Sequence, residues 1–515
     1  MSKRKTKIVR KTHDLSGAAV PMLRNLLARY DAAQTTDENS RHWANADLLS
    51  ANSANDPATR RTLRSRARYE YANNCYCNGM VRTLASHVIG TGPRIQLLTE
   101  SADSNREIEV AFADWSKQVR LAAKLHTVRQ ARCRDGEAFA LLVQNPRLTG
   151  RVRLYPRIME ADQCATPAQF LTGYYQVDGL EIDQFGDPAF YHLLRNHPGE
   201  TSVAGFGEYD RVPAHFVIHL YREERPGQRR GVPEITPALP LYAVLRRYTL
   251  ATLHKAEIAA LMAVFLKTTA SGFDPADLGD PFQLMNLERN AMTTLPEGWD
   301  ISQLKAEAPT DAHDAFTKAI LREIARCLDM PFNIAAGDSS SYNYSSGRLD
   351  HQTYFRAIEI DRKQFEIDCL DRLFAAWLSE YLGESSGIHP RDIDTSRYPH
   401  EWRWDGYEHV DPLKEANANE TMLRTGQVCL PDLIAKQGGD WEVLQAKAAA
   451  AFGLSIEDYR ARLADAVLGG KAPAAFPGQL PGGAVDAEAE DEDNEDGNET
   501  ETETEDATET EAARV

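Results

Sequence analysis

Between Arg348 and Leu382 the chain contains neither glycine nor proline, and Tyr354, Ile358, Phe365, Leu370, Phe374 and Leu378 recur at close to helical spacing. Residues three and four apart share one helix face, so this stretch predicts a rod of ~50 Å at ~1.5 Å per residue. Two more helices precede it. The first is expected over Thr236–Lys267, where Thr236-Pro237 sets a capping hydroxyl before a first-turn proline, and Leu241, Leu245, Tyr248, Ile258, Leu261, Met262 and Phe265 mark an apolar face. The second is expected over Thr310–Met330, capped by Thr310, with Asp311 and Asp314 at its positive end and a ridge of Phe316, Ile320, Ile324 and Leu328. Pro331 stops it. Nothing in this order of parts looks like an active site; it is a structural element suited to repetition around an axis.

The flanking regions read as α+β. A helical pattern from about Ala44 to Ile89 carries Arg60, Arg61, Arg64, Arg66 and Arg68 and ends at Gly90-Thr-Gly-Pro93. Arg94–Leu98 reads as a strand and Asn105–Arg134 as a helix. Glu137–Val143, Arg151–Tyr155, Gly173–Val177, Pro188–Leu194 and His215–Tyr221 read as short strands, with hairpin turns at Asp178-Gly179 and Gly186-Asp187-Pro188. Thr293–Lys305 predicts two short strands around Pro296-Glu-Gly298. Past Leu382, helices are expected at Pro412–Thr425, Leu430–Gln437 and Asp440–Ala466. Gly469–Ala484 has linker composition, and the acidic run Val485–Val515 cannot bury enough to fold.

The net charge of −18 is unevenly spread. Residues 486–515 hold 15 acids and one arginine, so residues 1–485 carry 61 acids against 57 bases, about −4. A nearly neutral body argues against a static nucleic-acid clamp, which needs clustered lysine and arginine. Lys3, Arg4, Lys5, Lys7, Arg10 and Lys11 make the first residues a basic arm, either a solvated one or a contact to nucleic acid or an acidic partner. No apolar run follows them as it would in a secretory signal. The seven cysteines are scattered and form no C-x-x-C pair, so reduced thiols are expected and structural zinc is not. The longest near-continuous apolar run, Ile258–Leu266, has nine residues, against the ~20 that cross a bilayer. A soluble, intracellularly made protein with no metal or cofactor is the expectation.

Catalytic motifs are missing: there is no G-x-x-x-x-G-K-[ST], H-E-x-x-H or G-x-S-x-G. Asp350-His351 beside the serines of 339–346 has hydrolase residue types, but neighbours on a helix point about 100° apart and nothing fixes a nucleophile against a base. His400, Glu401, Trp402 and Trp404-Asp405 suit an aromatic anchor better than a pocket. The loop Gly337–Gly347 differs. It holds Ser339, Ser340, Ser341, Tyr342, Asn343, Tyr344, Ser345 and Ser346, and is longer than an ordinary helix connection. Its hydroxyls and amides offer weak, rotatable hydrogen bonds, suited to a surface over which a polyanion slides. Arg246, Arg247, His254, Lys255 and Lys267 read alone as a solvated face; in a ring of copies they would form circles of positive charge.

Three stretches, in this order, resemble the lambda-type portal proteins of tailed bacteriophages. They are Ser65–Pro93, with Asn73, Asn74, Asn78, Gly79 and Arg82 running into Val88-Ile-Gly-Thr-Gly-Pro93; Val217-Ile-His-Leu-Tyr221 with Arg229-Arg-Gly-Val-Pro-Glu234; and Ile324–Ala336 ahead of Tyr342-Asn-Tyr-Ser-Ser-Gly347. The resemblance covers about residues 15–470 and implies a mainly helical α+β fold with wing, stem, clip and crown around a central channel, in a ring of twelve copies at one capsid vertex. On this chain it implies an arm at 1–40, a wing at 41–235, stem helices at 236–267 and 309–331, and a clip at 268–308 with Pro296, Glu297 and Trp299 at the terminase dock. A tunnel loop at 332–347, a long wing helix and return at 348–410, a crown at 411–468 and a linker and tail at 469–515 would complete it. Arg246, Arg247, Lys255 and Lys267 would face the channel. The implied partners are further copies, double-stranded DNA, terminase large subunit, major capsid and scaffold proteins and head-completion proteins, with no membrane and no catalysis by the portal itself. A non-channel vertex or scaffold protein is the structural alternative, and a metal-dependent nucleic-acid hydrolase using Asp350, His351 or the 400–405 cluster is the catalytic one.

Overall fold

The computed structural model describes residues 37, 40–167, 175–200, 208–261, 265–268, 299–302, 311–383, 397–407 and 412–468. The basic arm before residue 37, the 269–298 segment and the linker and tail after 468 lie outside these residues. The chain divides into one unit up to residue 408 together with 432–439, and a second comprising 409–431 and the residues from 440.

The first unit begins with α1 (Ala51–Ala54), α2 (Pro57–Asn73) and α3 (Cys75–Ile89). Asp56 caps α2 through the amides of Ala58 and Thr59, with Pro57 at the position where its missing N–H is harmless. Asn74 closes α2 and caps α3 through the amides of Tyr76 and Cys77, so one residue sets the corner between them. After β1 (Arg94–Leu97), the helix expected over Asn105–Arg134 is two: α4 (Ala102–Val119) and α5 (Leu121–Asp135). Arg120 breaks it by adopting a left-handed conformation, φ 55°.

Two antiparallel sheets follow. β2 (Glu137–Gln144) lies between β3 (Leu154–Met159) and β8 (Val217–Tyr221). The second sheet runs β4 (Tyr175–Val177), β5 (Leu180–Ile182), β6 (Pro188–Leu194) and β7 (Tyr209–Pro213) in chain order. The Asp178-Gly179 turn between β4 and β5 has positive φ at both residues, as a tight hairpin requires. Strand alternation makes the first sheet a wall between two cores. Ala138, Ala140 and Leu142 of β2, with Ile218 and Leu220 of β8, face the large helical core, while Phe139 and Val217 face a smaller core that includes Leu180 and Tyr191.

A buried carboxylate sits on that wall. Glu137 is fully buried and accepts from Arg230 Nη2 at 2.6 Å, Arg64 Nη2 at 3.1 Å and the Gly231 amide at 2.9 Å, with His219 Nε2 at 3.1 Å. Burial alone would raise its pKa, but the Arg230 cation and its hydrogen bonds hold it well below the usual carboxylate value of 4.5. Burial lowers the pKa of His219 despite the adjacent Glu137. The backbone must close tightly to deliver the Gly231 amide: a Cβ built on Gly231 would lie 2.0 Å from the carbonyl oxygen of Gly136. Arg60 and Arg64, which read in the sequence as part of a basic stretch, are both buried, paired with Asp178 and with Glu137 and Asp162.

Then come α6 (Leu239–Leu261), β9 (Phe265–Thr268), β10 (Trp299–Ser302), α7 (Asp311–Arg326) and α8 (Phe332–Ala336). α9 (Tyr344–Phe365) continues through a π-helical turn, Glu366–Leu370, into α10 (Asp371–Leu382). At ~1.5 Å per residue this rod exceeds 50 Å. β11 (His400–Arg403) pairs antiparallel with β1, Trp402 opposite Ile95. The Trp402 and Trp404 indoles donate to Asp371 and Glu366, both at 2.7 Å, so this cluster anchors the rod on the core.

The second unit contains α11 (Pro412–Arg424), α13 (Trp441–Ala451) and α14 (Ile456–Leu468), while α12 (Leu430–Lys436) spans the division. The single helix expected over Asp440–Ala466 is interrupted at 452–455, where Gly453 has φ 65°. Asp440 and Ser455 cap the two pieces.

Removing one member of the Glu137 cluster leaves buried charge uncompensated, which typically costs about 3–5 kcal/mol. Glu137→Gln is therefore expected to lower stability by about that amount in urea unfolding followed by circular dichroism. Because the folded pKa is depressed, the carboxylate's contribution is complete above its ordinary value of 4.5 and fades as pH falls below it. Wild-type stability should drop more steeply with acid than that of Glu137→Gln.

Candidate channel and contact elements

The root of α6 is fixed by a second buried ion cluster. Arg129 and Arg132, one turn apart on α5, each bridge Glu234, at 2.9 Å in both cases, and Asp361, at 2.8 and 2.5 Å. The two arginines pull the buried Glu234 carboxyl below its usual range although burial opposes them. Three elements are thus tied: α5, the segment entering α6, and α9. Arg362, one residue on, donates to the carbonyls of His87, Val88 and Asp405. That places a cation at the C-terminal, negative end of α3.

From this root α6 leaves the core. Leu239, Tyr242 and Leu245 are buried, but Leu250 and Leu253 are exposed. Tyr248 stacks on His313 of α7 at 5.1 Å and meets Phe316 edge-on at 5.1 Å, which holds the two helices together. The buried part of α7 is its C-terminal half, Leu321, Ile324 and Ala325. Thr236 does not cap as expected: its hydroxyl donates to the Pro233 carbonyl, and a short 3-10 turn precedes α6. The expected cap Thr310 lies outside the described residues.

Among the expected channel cations, Arg246 is half-buried, hydrogen-bonded to the Tyr69 hydroxyl at 3.2 Å and stacked on its ring. Arg247 and Lys255 are exposed. Lys267 is not on the helix. It lies in β9, opposite Asp300 of β10, because the β-branched and aromatic residues near it pair as strands with Trp299–Ser302. The expected local hairpin within Thr293–Lys305 is therefore corrected for the strand 299–302, whose partner is 265–268. Trp299 is on β10, and Pro296 and Glu297 lie outside the described residues.

The serine-rich loop is shorter than expected. Asn343 accepts from the Ser346 amide at 2.8 Å while Ser346 Oγ accepts from the Asn343 amide at 3.2 Å, a reciprocal cap that starts α9 at Tyr344. Tyr344, Ser345 and Ser346 thus belong to the first helical turn, and the irregular segment is Gly337–Asn343. Ser339, Ser340 and Ser341 are exposed, whereas Tyr342 is half-buried against the core. Asp338 is pinned by the Ser340 hydroxyl and amide and by Lys318, which hold its pKa down at about 2. Lys318 is shared between Asp338, at 3.3 Å, and Asp314, at 2.8 Å, so the exposed hydroxyls stand beside a carboxylate that is only partly compensated.

Asp350 and His351 have other partners than each other. Asp350 lies near the Tyr342 hydroxyl, and His351 Nε2 lies 2.9 Å from the side-chain nitrogen of Asn333. The residues sequence reasoning passed over are Arg129, Arg132, Glu234 and Asp361. Two arginines at i and i+3 within the apolar stripe of Leu125 and Val128 were the available signal, since such a stripe buries a charge only with a partner.

These parts define a scaffold subunit: long helices rooted by buried ion pairs, with apolar positions left uncovered along their shafts. The family described as phage portal protein, lambda family, matches residues 37–362, more than half of the sequence, and the chain belongs to it. The probable portal protein of Halomonas phage phiHAP-1 is 28% identical over 412 residues, covering 74% of this chain and 77% of that protein. Two solved structures are loosely similar. The neck of an empty gene transfer agent particle computed with C6 symmetry gives a TM-score of 0.42 at 15% identity, covering 72% of this chain and 91% of that one. The neck of the native particle computed with C12 symmetry gives 0.41 at 16% identity, covering 73% and 92%.

Loss of the Asn343 cap in Asn343→Ala should destabilise the start of α9 by about 1 kcal/mol. Amide exchange over residues 345–348 should rise roughly fivefold, with exchange at α10 unchanged.

Proposed function

We propose that this chain is the portal subunit of a tailed phage, forming a ring of twelve copies at one capsid vertex. The ring encloses the channel through which double-stranded DNA is packaged and ejected. The family match over residues 37–362 carries this reading. In it, α6 and α7 are the stem, the segment holding β9 and β10 is the clip, Gly337–Asn343 is the tunnel loop, and the helices from Pro412 are the crown. Val244, Leu253, Leu349, Ile360 and Ile367 are apolar side chains exposed on these rods in the single chain, and neighbouring copies would cover them. The exposed hydroxyls of Ser339, Ser340 and Ser341 offer DNA phosphates replaceable hydrogen bonds, and Arg247 and Lys255 add positive charge along the bore. Terminase large subunit docks at the clip, head-completion proteins replace it there, and scaffold and major capsid proteins surround the wing. The protein ends in the virion and performs no catalysis; the motor supplies the energy. None of the described helices is long and apolar enough to cross a membrane.

Negative-stain class averages of the purified chain should show rings with a central hole and twelve-fold symmetry. Particles that stay single at every concentration and ionic strength would reject the proposal. Replacing Ser339, Ser340 and Ser341 together by glycine should leave rings intact and reduce packaged DNA per particle; loss of the rings would make the loop an assembly element.

A further inference from the structure

A cavity of about 450 Å³ opens beside the first half of α2, and its wall is dominated by guanidinium groups. Arg60, Arg61, Arg64, Arg68 and Arg230 all line it. Only two carboxylates, Asp162 and Asp178, share that wall. Asp135, Glu137 and Glu160 also pair with these arginines, but from outside the lining. Five cations therefore face the void with two anions, and the balancing charge stands behind them. Burial, and then repulsion from Arg230, hold the Arg60 pKa down, as expected where positive charge is crowded.

Among the described residues, one cation on the wall, Arg61, is unpaired. Arg61 is exposed at the rim and has no hydrogen bond or ion pair among the described residues. His197 accepts the Gly199 amide at Nδ1, 3.0 Å away, so the neutral ring carries its proton on Nε2. That Nε2 faces the carboxylates of Glu160, 3.4 Å away, and Asp162, 3.6 Å away, so His197 is turned to anions the protein already supplies. The same tautomer argues against a metal ion among Glu160, Asp162 and His197, because a ligating Nε2 must give up that proton. Arg68 Nη2 moreover already sits 3.0 Å from Glu160 and 2.8 Å from Asp162.

We propose that this cavity is a binding site for a phosphate-bearing anion of about diphosphate size, held by Arg61 and drawn in by the guanidinium groups of Arg60, Arg64 and Arg68 that line the void. Guanidinium forks match the oxygen spacing of phosphate. The volume admits a small oxyanion or a nucleotide and excludes a duplex, so the ligand is distinct from DNA moving through a channel. The inference does not depend on ring formation.

Isothermal titration of the full-length chain at fixed salt tests it, with inorganic diphosphate and a nucleoside diphosphate as separate probes. One saturable site per chain is expected for at least one probe, and the tighter of the two identifies the ligand's source. Arg61→Gln should weaken binding about tenfold, the effect of losing one charged hydrogen bond, with the thermal unfolding curve unchanged. Arg66→Gln, an equal charge change at an exposed position of α2 outside the cavity, should leave binding intact. No saturable binding of either probe, or an equal loss in both variants, overturns the proposal.

Discussion

The carboxylate of Glu137 is shared by two guanidiniums, an imidazole and a backbone amide, with no water-exposed surface of its own. A charge so placed tolerates only a structure in which every partner arrives together, because each missing partner leaves a buried ion uncompensated. The partners come from α2, β8 and the 230–231 segment, and Glu137 itself opens the central strand. One group therefore ties the helical layer, the first sheet and the approach to α6 to one another. The Gly136–Gly231 approach, too close for any side chain, belongs to the same constraint.

A few residues along, the Arg129, Arg132, Glu234 and Asp361 cluster repeats the device. α5 contributes to both clusters, since the carbonyl and carboxylate of its last residue, Asp135, bind Arg64 and Arg68. The α+β core and the roots of α6 and α9 are thus held by one helix. The buried ion pairs lie at the base, whereas α6 beyond Leu245 carries the exposed Leu250 and Leu253. In the proposed ring, neighbouring copies would cover those apolar positions.

The long rod was legible because a stretch without glycine or proline at helical spacing has few other solutions. The tryptophans at 402 and 404 were equally legible, since indoles flanked by charge pack best on a core. Lys267 was misread because the apolar run before it fits a strand as well as a helix, and only pairing with Trp299–Ser302 decides between them. The division at Arg120 left no mark, as a left-handed arginine looks like any helical one in sequence. The serine-rich loop was overestimated by four residues because Asn343, which caps α9, sits among residues equally at home in a turn. The buried arginines of α2 were the deepest omission. A run of basic residues reads as surface until the carboxylates that receive it, far away in the chain, are brought alongside.

The wide turn at Glu366–Leu370 lets the rod answer to two different surroundings. α9 buries Tyr354, Ile358, Arg362 and Phe365 along one stripe, whereas Leu373 to Ser379 of α10 are buried on every side. A uniform helix would carry the first stripe's phase into the second segment; one surplus residue rotates α10 by about 100° at the expense of a weaker hydrogen-bonded turn. It works like a vernier between two scales. The turn absorbs the mismatch between them, and the tryptophan-lined anchor keeps its seat on the core.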